Sequence, residues 1–549
     1  MSEVISTGPT TSHPVSTPAP STSVEVFAVY GVEPEIQAYA MAKYSRSALS
    51  MKESLKEITL QKAEKFLNTF YFQYGHRSIA DLAHIALAIE RLSILAAIVV
   101  VDEQRWDGQE RSTRYQDFRK SGYYTPSFPN DAFESDGAAS DVSSARTLYR
   151  ETIESLFTAY EKVSQRAFEY LASITPRPAE MKPDAYERTL RARAFDIARY
   201  LLPLATNTSL GEIVNARTLE SQVAHLLSQP HKEVRDLGAL LKQAAISPAY
   251  NANEESLRAL VAEIRAVSPE IADRAERELL REVRVAPTLV KYADPSLYEI
   301  ETRRELQQAA AELMRGAAIE PAPLVDLIDN DLLDNDLLDA DSLEIELATT
   351  LLYGHCHYSY RQLRQTVEAA GEARRREIID LGLRHRGGHD EMLRPFSAGQ
   401  QFRFDILMDI GGFRDMHRHR RCVQIMQDFT IAHGFDTPPE VEAAGIRSDY
   451  EFAMKRAETA VQKLSATGGE EAVQNAQYAI PFAFRKRTLF KMDFAEAVYI
   501  SELRTTPAGH ASYRNVAYAM YEAVAAKYPA LAKYFRVHDV REPVDLLKR

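Results

Sequence analysis

Apolar residues recur at helical spacing between Glu35 and Phe72, where Leu55, Ile58, Ala63, Phe66 and Phe70 mark one face. Two short apolar runs follow, Ile85 to Ile89 and Ile94 to Val101. The second is continuous, β-branched and too short to span a bilayer, so it reads as a buried strand. A helical pattern returns from Ala145 to Ser173 and is broken by Pro176, Pro178 and Pro183. Arg191 to Leu241 reads as mainly helical, with an interruption near Pro203.

Between Gly316 and Ser342 the pattern changes. An Ala-Pro stretch gives way to the acidic run Leu327 to Leu338. That run lacks the glycine and terminal glutamate of a calcium-binding loop, and a solvated linker or acidic helix face fits it better. The order of the first half then repeats. A helical stretch from Leu343 to Leu381 leads to Gly387-Gly388-His389-Asp390, a strand from Gln401 to Ile410, an Arg-rich turn and a long helical tail. The first half runs from helix to Tyr74-Gly75-His76-Arg77-Ser78, apolar strands, an Arg-rich turn and helices. The shared order predicts an internal duplication. The expected layout is a disordered tail over 1–24, a first domain over 25–315, an acidic linker over 316–342 and a second domain over 343–549.

The 549 residues, 45% hydrophobic and 26% charged, suffice for two or three domain cores. The formal net charge of -12 argues against a nucleic-acid or anionic-membrane binder, which needs a positive field. A local arginine cluster can still oppose that sign around a small anion. Cys356 and Cys422 are the two cysteines, and neither lies in zinc-like spacing, so no metal is expected. Their scarcity fits a reducing compartment, and the Ser/Thr/Pro-rich start lacks the apolar core of a secretory signal. A cytoplasmic location is expected.

Two polar strings follow the apolar runs. Gln109-Glu110-Arg111-Ser112-Thr113-Arg114-Tyr115 offers a hydroxyl, turn amides and a guanidinium, a set that can cradle a phosphate. Phe413-Arg414-Asp415-Met416-His417-Arg418-His419-Arg420-Arg421 crowds like charges that suit an anion such as a cofactor diphosphate. Arg384-His385-Arg386 has the same triplet of letters but follows a helix, so the triplet alone decides nothing. A metal phosphohydrolase around His389-Asp390 is disfavoured, because no further His or Asp of suitable context follows.

In combination, these pieces resemble the flavin-dependent thymidylate synthases, whose signature reads R-H-R-x-x-S-x-N-E-x-S-x-R-Y after a strand. Residues 102–115 match it at Glu110, Ser112, Arg114 and Tyr115, with Gln109 for Asn and Asp102-Glu103-Gln104 for R-H-R. Residues 418–431 match only its start, Arg418, His419 and Arg420. The family's A-R-x-x-L-P and N-A-R-x-L stretches appear in the first half as Arg199, Pro203, Asn215 and Arg217, while its later uracil-facing arginine aligns with Leu226. In the second half Arg504 fills that last position, and Gln477 and Asp493 replace the earlier Arg and Asn. A glycine-histidine pair precedes the strand in both halves, at Gly75-His76 and Gly388-His389.

The resemblance implies an α+β fold of two tandem thymidylate synthase-like domains, each a mainly antiparallel sheet with packed helices. By the same resemblance, Glu110, Ser112, Arg114 and Arg199 bind the phosphate of deoxyuridine monophosphate. Arg418, His419, Arg420, Asn215 and His389 bind FAD, and Arg504 contacts the uracil as substrate-binding and catalytic residue. Methylenetetrahydrofolate and NADPH are the implied co-substrates. The losses in the two halves are complementary, which points to one composite site and to a homodimer imitating the family's tetramer. The alternatives are a non-catalytic nucleotide- or flavin-binding paralogue and a flavoenzyme acting on another pyrimidine nucleotide.

Overall fold

The computed structural model describes residues 31–43, 77–128, 142–297, 299–301, 323–327, 340–353, 360–384 and 402–548, with a few isolated positions between them. The expected tail, most of the first helical stretch, both Gly-His pairs and most of the acidic run lie outside the described residues. So does His389.

Each half is built on one antiparallel sheet. In the first, β1 (His84–Ser93), β2 (Asp107–Glu110) and β3 (Asn207–Asn215) are ordered β1-β3-β2. In the second, β4 (Val325–Leu327), β5 (Phe402–Asp409), β6 (Val423–Met426) and β7 (Arg485–Met492) are ordered β4-β5-β7-β6. β5-β7-β6 thus repeats β1-β3-β2, and β4, inside the stretch read as linker, adds an edge strand to the second sheet. The expected α+β duplication is present.

Registers repeat as well as order. Glu110 pairs with Leu210 as Met426 pairs with Thr488, and Leu92 pairs with Thr208 as Met408 pairs with Lys486. Farther along β1 the first sheet slips by one residue, at a bulge around Arg91, whose φ of 63° is left-handed.

Three sequence expectations are corrected. Ile94–Val101 is a helix, not a strand. Ser93 caps it, its hydroxyl accepting from the Ala96 amide at 3.0 Å, and nearly every residue is buried. A segment apolar on all sides has no period to distinguish the two states, and the cap and tertiary burial override β-propensity. Conversely, β3 lies within the stretch read as mainly helical, and β7 within the helical tail. Their inward positions include Thr208, Glu212, Lys486 and Thr488, polar residues that hide the period-two pattern.

The helix Val142–Ile174 packs on Pro183–Ala198 of its own half and on Arg447–Ser465 of the other. The halves also meet backbone to backbone at Pro203 and Pro481. The Leu204 amide donates to the Ile480 carbonyl and the Phe482 amide to the Leu202 carbonyl, both at 3.0 Å. The pair is a local twofold, and one continuous core runs through both halves. Among the described residues no helix is long and apolar enough to cross a membrane.

Candidate active site

Four elements converge between the halves. From the first come the loop after β2 and the C-terminal turn of the helix Pro183–Ala198. From the second come the helix Ile410–Met416 with the turn behind it and the helix Phe494–Arg504, whose last residue is Arg504.

The loop carries two arginines with different tasks. Arg111 anchors it, donating to Gln116, to the Ser121 hydroxyl and to the Asp117 carbonyl, and lying 4.2 Å over the Phe118 ring. Arg114 points inward. Its Nε and Nη2 grip both oxygens of Asp196 at 2.7 and 3.2 Å, Nη1 donates to the Tyr513 hydroxyl at 2.7 Å, and Nη2 reaches the Ala508 carbonyl at 3.0 Å. Every guanidinium nitrogen of Arg114 is therefore engaged. Burial alone would raise the Asp196 carboxyl, but Arg114, with His510 and Arg199, holds it below the usual carboxylate range. Ser112 Oγ accepts from the Arg114 amide at 3.3 Å and shapes the turn.

Arg199 is the opposite case. It is 2% exposed, and Nη1 reaches Asp415 Oδ2 at only 3.4 Å. Its Nε and Nη2 are buried with no hydrogen-bond partner among the described residues. Unsatisfied buried donors are uncommon and call for a reason.

The second half closes over this loop. Arg414 donates to Glu110, and at 3.3 Å to Thr113 Oγ1. Arg418, partly exposed, stands 3.9 Å from the other Glu110 oxygen. Asp415 lies among Arg199, Arg114, Arg418 and Arg504, which overcome its burial and hold its carboxyl down to about 2. Arg504 Nε donates to His419 Nε2 at 2.8 Å, which makes Nε2 the acceptor and leaves Nδ1 facing Glu496 at 3.5 Å. Burial, helped by Arg504, lowers His419 below its ordinary value, consistent with a neutral ring. Arg420 pairs with Asp107 at 3.1 Å and lies over the Trp106 ring. A cleft of about 100 Å³ runs between Trp106, Gly108, Glu110, Arg418 and Arg420.

The structure thus brings Glu110, Ser112, Arg114 and Arg199 together with Arg418, His419, Arg420 and Arg504. Asn215 stands apart: its side chain caps the helix Ala216–Leu227, accepting from the Thr218 amide at 2.8 Å. The site also contains residues that sequence reading left unassigned. Arg414 and Asp415 lay inside the quoted Arg-rich string, and Asp196 sits one helical turn before Arg199. Tyr513 and His510 arrive from a helix near the end of the chain and carry no local signal. Among the described residues no group of three or more His, Cys, Asp or Glu is placed to hold a metal ion.

A family profile described as thymidylate synthase complementing protein matches residues 29–247 and again 337–530. UPF0159 proteins are similar over nearly the whole length. One from Chlamydia pneumoniae is 25% identical, covering 95% of this chain and 93% of its own. One from Thermoplasma acidophilum is 24% identical, covering 91% and 94%. A flavin-dependent thymidylate synthase of Clostridium tetani is 25% identical over 38% of this chain and 76% of its own. The flavin-dependent thymidylate synthase thus aligns with part of this chain and the UPF0159 proteins with nearly all of it. With both profile matches falling on the two repeated sheets, the chain belongs to the thymidylate synthase complementing protein family.

Proposed function

We propose that the chain methylates deoxyuridine monophosphate to thymidine monophosphate, with FAD as cofactor and methylenetetrahydrofolate as carbon donor, in a site built jointly by its halves. The observation that supports this most is the pair of buried nitrogens on Arg199 that have no partner among the described residues, set inside a cluster drawn from both halves. Five arginines there (114, 199, 414, 418 and 504) face four carboxylates (110, 196, 415 and 496), leaving one positive charge in excess. A nucleotide phosphate would supply both the missing acceptor and the missing charge.

In this reading Arg199 holds the phosphate, while Glu110, Ser112 and Arg114 fix the loop that shapes its cradle. Arg418, His419 and Arg420 hold the flavin. The bound cofactor, when reduced, supplies a hydride, with NADPH as the source of electrons. Arg504, oriented by His419 and lying 5.5 Å over the Tyr513 ring, faces the base and stabilises negative charge developing on it. The buried Cys422, whose thiol burial pushes up to about 12, is unsuited to attack the base. The protein is expected to be cytoplasmic and to pair as a homodimer.

One observation favours a second reading, a nucleotide-binding protein without turnover: Arg114 is already saturated by Asp196, Tyr513 and Ala508. An anaerobic assay with reduced flavin, deoxyuridylate and methylenetetrahydrofolate, read by product mass, separates them. A nucleotide heavier by one methyl supports the synthase. Bound but unchanged deoxyuridylate establishes the second reading instead.

A further inference from the structure

The duplication fixes a position in each half for every residue of the site, so the mate of that site can be located and inspected. Three independent observations set the correspondence. The first is sheet register: Glu110 occupies the place of Met426, and Thr208 that of Lys486. The second is the twofold at Pro203 and Pro481, continued by the Ala205 amide on the Tyr478 carbonyl at 2.8 Å and the Ala483 amide on the Tyr200 carbonyl at 3.0 Å. The same relation pairs two ring contacts, Tyr200 with His510 at 5.5 Å and Tyr478 with His231 at 5.8 Å. Arg199, adjoining Tyr200, therefore corresponds to Gln477, adjoining Tyr478.

The third is capping. Asn215 and Asp493 start equivalent helices, each accepting from the third amide beyond at 2.8 Å, so Leu226 stands where Arg504 does. Ser93 and Asp409 start the other pair, and here the bonding has exchanged sense. Ser93 donates its hydroxyl to Glu233 at 2.6 Å, whereas Asp409 accepts from Ser512. Donor and acceptor have swapped places across the repeat, while the contact between cap and helix start is kept.

At the mate locus the anion-binding chemistry has not merely weakened; its sign has reversed. Asp102, Glu103 and Gln104 stand in place of Arg418, His419 and Arg420, and Asp428 in place of Ser112. Gln477 stands for Arg199, and its amide oxygen is taken by His231 at 3.2 Å. Where the small Thr208 lies in the first sheet, the Lys486 side chain fills the second. Its ammonium donates to the Gln427 carbonyl and sits 4.1 Å over the Phe429 ring. The charges facing that ammonium are carboxylates, Asp428 and Asp102.

We propose that each chain carries one nucleotide and flavin site rather than two, and that the mate locus is closed, with Lys486 as its plug. This rests on the proposed function above, and ligand stoichiometry on the full-length chain separates the two claims. Calorimetry with deoxyuridylate and equilibrium dialysis with FAD are each expected to give one ligand per chain. Arg199→Met should weaken nucleotide binding by roughly tenfold or more, whereas Asp102→Ala, at a partly exposed mate position, should keep one of each at unchanged affinity. Two ligands per chain would overturn the single site and leave the proposed function standing. No binding of either ligand would overturn that function and this inference with it. Affinity unchanged by Arg199→Met but lost in Asp102→Ala would show that the live locus is the other one.

Discussion

Arg199 makes an unusual demand on the fold, and replacing it should move stability and binding in opposite directions. Two of its nitrogens are buried without partners among the described residues and the third reaches Asp415 at 3.4 Å. Each unsatisfied buried donor costs about 1–3 kcal/mol, and an apolar side chain of similar length removes that cost. Against this, Asp415 loses one cationic neighbour but keeps Arg114, Arg418 and Arg504. Arg199→Met should therefore leave the ligand-free protein more stable by about 1–3 kcal/mol, seen as a rise of roughly 1–5 °C in thermal midpoint. The same change removes a charge-assisted contact of about 1.5–3 kcal/mol, so deoxyuridylate affinity should fall roughly 10- to 150-fold. Differential scanning fluorimetry and calorimetry on one preparation supply both numbers. A lowered midpoint together with unchanged affinity would refute the reasoning, because Arg199 would then be a structural residue whose charge the fold needs.

Three further outcomes follow from the same contacts. Arg418→Ala with Arg420→Ala should abolish co-purified flavin at an unchanged circular dichroism spectrum, and full flavin occupancy would remove both from the cofactor site. Gly108→Ala would drive a methyl into the Trp106 ring and the Gly211 carbonyl, costing about 1–3 kcal/mol; a thermal midpoint equal to wild type would contradict that packing. Burial, partly offset by a hydrogen bond from Gln222, raises the Glu212 carboxyl to about 7. The folded state therefore binds a proton more tightly than the unfolded chain, and stability falls as pH rises from the ordinary carboxylate value through about 7. Glu212→Gln should remove that penalty, by about 3 kcal/mol at most at pH 8 and by nothing near pH 4, in parallel thermal melts. A gain of equal size at both pH values would exclude titration as its cause.

Much of the duplication was legible because it is written in order, not identity. The strand before each polar string, the strings themselves and Pro203 with Pro481 all fall in the same sequence in both halves, and order survives substitution. What could not be read was any element whose pattern burial within the folded core had erased. The helix Ile94–Val101 is apolar on every face because it is enclosed, so it shows no helical period. β3 and β7 lie at the centres of their sheets, yet bury Glu212 and Lys486 at positions where a strand ordinarily shows Val or Ile. The site was legible where a local string carried it, as in Glu110 to Arg114 and Arg418 to Arg420. It was illegible where partners meet only through folding, as Arg114 meets Tyr513 across most of the chain.

The arrangement of those partners bears on how a duplicated chain can lose half its family motifs in each half and keep the remainder together. A site drawn from one subunit would be destroyed by either set of losses found here. A site drawn from two subunits tolerates them, provided that each half keeps what it contributes to the same locus. The first half keeps the loop Glu110–Arg114 and Arg199; the second keeps Arg414, Arg418–Arg420 and Arg504. All of these meet at one locus, and the substitutions collect at the other. Independent decay of the two halves would scatter survivors without regard to locus, whereas apart from Asn215 and Arg217 the family residues that remain meet in one cluster. The reversed cap contact points the same way. A hydroxyl faces a carboxylate on each side of the twofold, and the helix that supplies each group differs between the halves. Ser93 with Glu233 and Asp409 with Ser512 are the two solutions, one in each half. Fusion made this asymmetry possible, since identical subunits have no means of specifying different residues on the two sides of their axis.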